Sequence, residues 1–297
     1  MGPSLLHYRP WRGQLRDPAW SVWPIARVGL GIVLRRKLFW GLYALALLFF
    51  LMFFFGQYLL AYADTMDLPP IILQQARGGL HLDGTGTMYR NFFRFQGSMV
   101  VIVLALAGSV LMGNDFQFGS LPFYLSKPLS PQHYLAGKFL AVAVLVNLVT
   151  TLPALILFAQ YGLLTSWDYF LDNADLVAGI VAYGLVLTAC LSLLLLAMAG
   201  WLRRTIPLIM AWTTLFFFLR QLAFALVYIL GYDVRWRLID LWNNTLLVGT
   251  ACLGVPRDSI RPLPQPETYE AALVLGAVCT VCLIYLNLRI RAVEIVR

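Results

Sequence analysis

Long apolar runs alternate with short polar breaks along the whole chain. Six runs stand out, near 39–62, 95–112, 139–163, 175–201, 206–232 and 271–288. Each reaches or exceeds the roughly 18 apolar residues that carry a helix across a bilayer. In hydrocarbon the backbone N–H and C=O groups have no water to bond, so each run predicts a helix that closes its hydrogen bonds within itself. The expected fold class is all-α: a polytopic membrane protein whose six transmembrane helices form one domain over 39–297, behind an N-terminal segment over 1–38. No internal repeat or low-complexity segment interrupts the pattern.

The N-terminal segment has a period of its own. In AWSVWPIARVGLGIVLRRK (19–37), Pro24, Arg27, Gly31 and Arg35 fall on one narrow helical stripe, and most other positions are Trp, Ile, Val, Leu or Ala. An apolar helix with a thin basic edge and two tryptophans suits the plane of the membrane interface. Arg35, Arg36 and Lys37 mark a break at headgroup level, so a separate interfacial amphipathic helix is expected here. A signal peptide is not expected, because the apolar run after it is too long and lacks a small-residue cleavage site.

Other local signals are weaker. RLIDLWNNTLLVGTACLGV (237–255) starts amphipathic and ends apolar, and is too short and polar for a span. A partly re-entrant loop is expected over 233–270, since irregular backbone at depth survives only where protein covers it. Pro153 and Pro207 are expected to kink their helices. The aromatic stretch LFFLMFFFGQY (48–58) is expected to face lipid or to pack in the core.

Composition and charge give these elements a direction. The chain is 60% hydrophobic and 12% charged, with a net charge of +8. Its mean hydropathy is +0.76, and a soluble domain carries about twice that charged share. An even number of spans puts both termini on one side. The segments on that side (1–38, 113–138, 202–205 and 289–297) hold 14 Lys/Arg against three acids. The opposite segments (63–94, 164–175 and 233–270) hold seven Lys/Arg against eleven acids. The positive-inside rule therefore places the N- and C-termini in the cytoplasm. Topology accounts for the positive charge, and no basic-aromatic patch points to a nucleic-acid partner.

One break is longer than a returning chain needs. GNDFQFGSLPFYLSKPLSPQHYLAGK (113–138) separates the second and third runs, where roughly four to six residues would do. Gly119 and Ser120 can start a helix whose face holds Leu121, Tyr124 and Leu125, and Pro128 must end it. Ser130 can cap a second short helix through Gln132, Tyr134 and Leu135, with Pro131 at its first position. Two short helices separated by Lys127-Pro128 make a rigid bracket, and structured loops of this length typically dock a partner.

The order of residues in this loop resembles the first cytoplasmic loop of ABC-2 type transporter permeases. Those permeases show an acidic residue, a G-T/S-L step, L-L-S-x-P-L/V-S/T and Y/F-L-x-G-K in that order. Here stand Asp115, Gly119-x-Leu121, Leu125-Ser126-Lys127-Pro128-Leu129-Ser130 and Tyr134-Leu135-x-Gly137-Lys138. The likeness extends to the interfacial helix, the six spans and a partly buried loop before the last span, so it covers nearly all 297 residues. Two features depart from the pattern. Relatives often carry E-R/K-x-x-G at the start of the loop, whereas 114–119 offers Asp115 alone, which leaves a charge-pair latch without its local base. The segment 63–93 is also too short for a folded outer domain.

The resemblance implies a permease of the cytoplasmic (inner) membrane that exports a substrate, works as a homo- or heterodimer in membrane lipid, and binds a cytoplasmic ABC ATPase subunit. It implies that 113–138 is the ATPase-coupling loop, with Asp115, Gly119, Leu121, Tyr124, Leu125, Pro128, Tyr134, Gly137 and Lys138 as its residues. No cofactor is expected in this chain, because ATP and Mg would be bound by the ATPase partner. The few polar residues in the spans favour a lipid-like or amphipathic cargo.

The inventory of reactive groups agrees with a non-enzymatic chain. A P-loop needs GxxxxGK[ST], but Gly137-Lys138 is followed by Phe139 and preceded, at the first Gly position, by Gln132. His7, His81 and His133 all fall in polar segments, so no intramembrane acid–base pair or metal ligand set can be proposed. Cys279 and Cys282 have CxxC spacing inside an apolar run, where they read as small core residues alongside Cys190. Arg220 is the exception. It lies well inside the fifth run, where a charge is costly and should face a protected interior or a water-filled path. It is a candidate translocation-path residue for an anionic substrate or headgroup, against the plainer reading of a structural bond to a carbonyl or to Asn147. Two other functions stay open on the sequence: a membrane scaffold that docks a cytoplasmic partner, and a secondary transporter, which would call for mid-depth titratable residues and inverted repeats.

Overall fold

The computed structural model describes residues 18–64, 82–108, 111, 113, 115, 130–202 and 204–294. Regular structure among them is helical throughout, with no strand. After a short turn at Pro18–Ser21, α1 spans Val22–Leu34 and α2 spans Lys37–Asp64. Helix α3 is Gly86–Gly108, α4 is Pro131–Val149, α5 is Thr151–Thr165 and α6 is Ala174–Leu202. A continuous helical run Thr205–Ile229 forms α7. A short helix, Leu241–Cys252, is α8, and Thr268–Glu294 is α9. With α4 and α5 taken as one span, six helical segments are long and apolar enough to cross a membrane. The chain has the character of a multi-pass membrane protein.

The core forms where α3, α4, α6 and α8 meet. The spans α3 and α6 are the most enclosed, with 61% and 67% of their most apolar windows buried, whereas α2, α7 and α9 lie near 20% (17%, 22% and 22%). Small residues set the close approaches. A Cβ on Gly108 would strike Leu195 of α6, and one on Gly184 would strike Thr151 of α5. The buried polar groups in the spans mostly bond to backbone or to one another, as hydrocarbon demands. Asn147 donates to Thr188 Oγ1 at 2.9 Å, and Trp212 Nε1 donates to the Val101 carbonyl at 2.8 Å.

Helix α1 is separate from α2, with the break at Arg35-Arg36. Its buried stripe (Ile25, Ala26, Gly29 and Val33) packs on α4, and its other face exposes Trp23, Arg27, Val28 and Ile32. The aromatic stretch of α2 divides between the two expected fates. Phe53 is wholly buried and meets Phe92 edge-on at 5.4 Å, while Phe55 and Tyr58 are exposed.

Two expectations about these helices need correction, and the kink expected from Pro153 is present. The second span starts at Gly86 and not near residue 95. Its polar first turns stay helical because neighbours satisfy them: Arg90 bonds Ser259 Oγ and Asn91 Oδ1. The third span shows its break at Thr150, three residues ahead of Pro153, where the missing N–H of proline leaves Val149 without its helical donor. Pro207, in contrast, kinks nothing. It sits in the first turn of α7, where the lost N–H has no intrahelical acceptor. The irregularity of α7 lies further on, in two π-turns at Thr214–Phe218 and Ala225–Ile229 that bracket Leu219–Phe224.

Candidate functional site

Two polar sites stand at opposite ends of the bundle. The first is at the end where α1 meets α4. Ser130 caps α4 in extended backbone, accepting from His133 N, and Pro131 fills the first helical position. No separate short helix forms there: the residues expected to make one are the opening turns of α4, which runs on to Val149. The reason is that nothing after Pro131 interrupts the helix, and the apolar run continues its period.

Those opening turns place Tyr134 and Lys138 one turn apart on the same face. Tyr134 donates from its hydroxyl to Asp115 Oδ2 at 2.7 Å, and Lys138 Nζ pairs with the same oxygen at 2.6 Å. Lys138 also donates to the Leu111 carbonyl and lies over the Tyr134 ring, 5.5 Å from its centroid. The Lys138 side chain is only 6% exposed and that of Asp115 14%, so the pair is largely removed from solvent. Asp115 therefore has its base after all, supplied from α4 and not from its own stretch. Gly137 faces the other way: a Cβ there would come within 2.7 Å of Ile25, so the glycine is what lets α1 lie against α4. Asp115, Tyr134, Gly137 and Lys138 are thus brought together, whereas Gly119, Leu121, Tyr124, Leu125 and Pro128 lie outside the described residues.

The second site is at the far end, around Arg220. The connection after α7 folds back against the bundle, and α8 is buried along most of its length between α3, α6 and α9. Gly97, midway along α3, makes room for Trp242, and Gly249 makes room for Tyr183. Asp240 caps α8 by accepting from Asn243 N at 3.1 Å. Arg237 makes three hydrogen bonds. It donates to the Tyr228 hydroxyl, to the Pro262 carbonyl at 2.8 Å and to Asn243 Oδ1 at 2.8 Å. Asn243 in turn donates to Gln265 Oε1 at 3.1 Å. This network ties the end of α7, the start of α8 and the 261–265 segment into one wall.

Against that wall lies an open cleft of about 240 Å³ lined by Arg94, Arg220, Arg237 and Arg261 with, among the described residues, a single acid, Asp240. Burial pushes the Asp240 carboxyl above its ordinary value, and the nearby Arg220 and Arg237 guanidinium groups pull against that rise. Arg220 is exposed on α7 and faces this cleft; Asn147, weighed as its partner, bonds the Ala143 carbonyl and Thr188 instead. Sequence reading missed Arg94, Arg237 and Arg261 as companions of Arg220. The available signal was that all seven basic residues of the far-side segments are arginine and none is lysine.

Among the described residues no group of three His, Cys, Asp or Glu side chains is placed to hold a metal ion. Cys190 and Cys279 bring their sulfurs to 3.6 Å across α6 and α9 as free thiols. No family model matches the chain, and no curated protein matches it.

Proposed function

We propose that this chain is the membrane-spanning permease subunit of an ABC-2 type exporter. It sits in the cytoplasmic membrane with both termini inside, dimerises, and moves an amphipathic or lipid-like cargo outward. A separate cytoplasmic subunit binds ATP with Mg and hydrolyses it. The observation that carries this reading is the ordered string from Asp115 to Lys138 in the connection between the second and third of six spans. The described ends of that connection support it. Asp115 on one side and Tyr134 with Lys138 on the other are bonded together, and Gly137 seats α1 on the same turn. A push on residues 116–129 would thus reach α3, α4 and α1 together, and a stiff contact of this kind is what allows nucleotide binding to bias a two-state bundle.

The test is co-expression of the chain with the ATPase subunit encoded beside it, followed by ATPase measurement of the complex in lipid. Wild type is expected to co-purify with the ATPase, and the Leu121→Asp/Tyr124→Asp variant to dissociate or to lose substrate-dependent turnover. Wild-type chain that never co-purifies with an ATPase, or a loop variant with full activity, would sink the proposal.

A further inference from the structure

The far-end cleft carries more positive charge than the described residues neutralise. Among the described residues the side chains of Arg94, Arg220 and Arg261 make no hydrogen bond or ion pair. Arg237 has committed three of its donors to the wall behind them. Asp240, the only acid among the described lining residues, is committed to capping α8. Like charges gathered on an apolar bundle repel one another and cost free energy unless an anion or water compensates them. Arg94 and Arg220 belong to spans, which makes the cost larger.

The shape of the site narrows what that anion is. The lining combines these guanidinium groups with the apolar side chains of Phe224, Trp242 and Leu246. On the same side of α7 as Arg220, Phe217 and Phe224 are exposed apolar side chains, on a helix that buries little of itself. The volume of about 240 Å³ holds a headgroup but not two acyl chains. Several arginines and no lysine favour an oxyanion such as phosphate, because the planar guanidinium fork meets two of its oxygens bidentately.

We propose that this cleft binds a phosphate-type oxyanion carried on an amphipathic molecule, with Arg94, Arg220 and Arg261 as its ligands and Arg237 as the brace that positions them. The phosphate sits among the guanidinium groups, and the apolar remainder leaves past Phe224 and the open face of α7. That the bound molecule is transported cargo rests on the permease reading; that it binds does not.

The experiment uses the full chain, purified without any ATPase, in phosphatidylcholine nanodiscs. Isothermal titration follows three soluble probes: dihexanoyl phosphatidic acid, inorganic phosphate and uncharged dihexanoylglycerol. Phosphatidic acid is expected to bind saturably and dihexanoylglycerol not at all. The Arg94→Gln/Arg220→Gln variant is expected to bind it roughly tenfold to a hundredfold more weakly, the effect of losing charge-assisted hydrogen bonds. Arg204→Gln, at the other end of the bundle, should bind as wild type. Phosphatidic acid binding far more tightly than phosphate identifies a lipid headgroup as the source; equal binding of the two identifies a free phosphate and overturns the amphipathic part of the proposal. No binding of either, or undiminished binding by the double variant, overturns the site. Should the double variant fail to fold, Arg261→Gln, outside the spans, takes its place: weakened binding supports the site, and undiminished binding overturns it. Because no ATPase is present, failure here leaves the coupling proposal standing, and success here does not require it.

Discussion

The two ends of this bundle treat charge in opposite ways. At the α1–α4 end one acid meets one base, a hydroxyl and a carbonyl fill the remaining valences, and the cluster closes to solvent. At the far end four arginines meet one acid that is already occupied, and the site stays open. A self-satisfied pair can hold helices together and does nothing further. An excess of one sign on a rigid, braced wall is a site that waits for something from outside. The contrast separates positions whose loss should cost stability from positions whose loss should cost only binding.

The largest effect should come from breaking the closed cluster. Lys138→Ala leaves Asp115 unpaired in a mostly dry site and is expected to destabilise the chain by about 3 kcal/mol. Unfolding in mixed detergent micelles would measure it, and Asp115→Asn combined with Lys138→Met should recover part of the loss. An undiminished stability in Lys138→Ala would mean the pair is not a clasp. Next comes the support of the open site. Gly97→Ala pushes Trp242 out of its seat and should cost about 1–3 kcal/mol by overpacking. It should also weaken probe binding, because Trp242 lines the cleft; wild-type binding with lowered stability would uncouple α8 from the site.

Tyr134→Phe removes one hydrogen bond to Asp115 and should cost about 1–2 kcal/mol, with the ion pair kept. A loss as large as that of Lys138→Ala would show that the hydroxyl, not the ammonium, dominates. Asp240 offers a finer test. Asp240→Ala loses the α8 cap and should cost about 1 kcal/mol, whereas Asp240→Asn keeps a capping oxygen and should cost almost nothing. The sign with pH follows from burial. The folded chain holds this carboxyl above 3.8, so it favours the protonated form. Its stabilising contribution is present below 3.8 and is lost as pH rises through the folded value. Asp240→Asn should therefore flatten the acid side of the stability profile, and an unchanged profile would remove burial as the dominant influence. A comparably small effect on stability is expected at Arg220. With no bond to another described residue to lose, Arg220→Gln should change stability by under about 0.5 kcal/mol while impairing oxyanion binding. A large destabilisation would make it a structural arginine and merge the two ends into one case.

The six apolar runs, the separate N-terminal helix and the cap at Ser130-Pro131 were legible in the residues, because each depends on period, length or a local donor. Bilayer thickness and an unmet backbone leave little freedom for such segments. Other features needed the fold. That α3 begins at Gly86, despite Arg90 and Arg94, depended on Ser259 arriving from a loop 169 residues away. That Asp115 is paired depended on α4 turning Lys138 toward it. Arg220 could be singled out as a charge in an apolar run, but Arg94, Arg237 and Arg261 belong to other segments, and only packing gathers them around one cleft. Local sequence sets which stretches are helices; which side chains meet is set by long-range contacts that no single segment encodes.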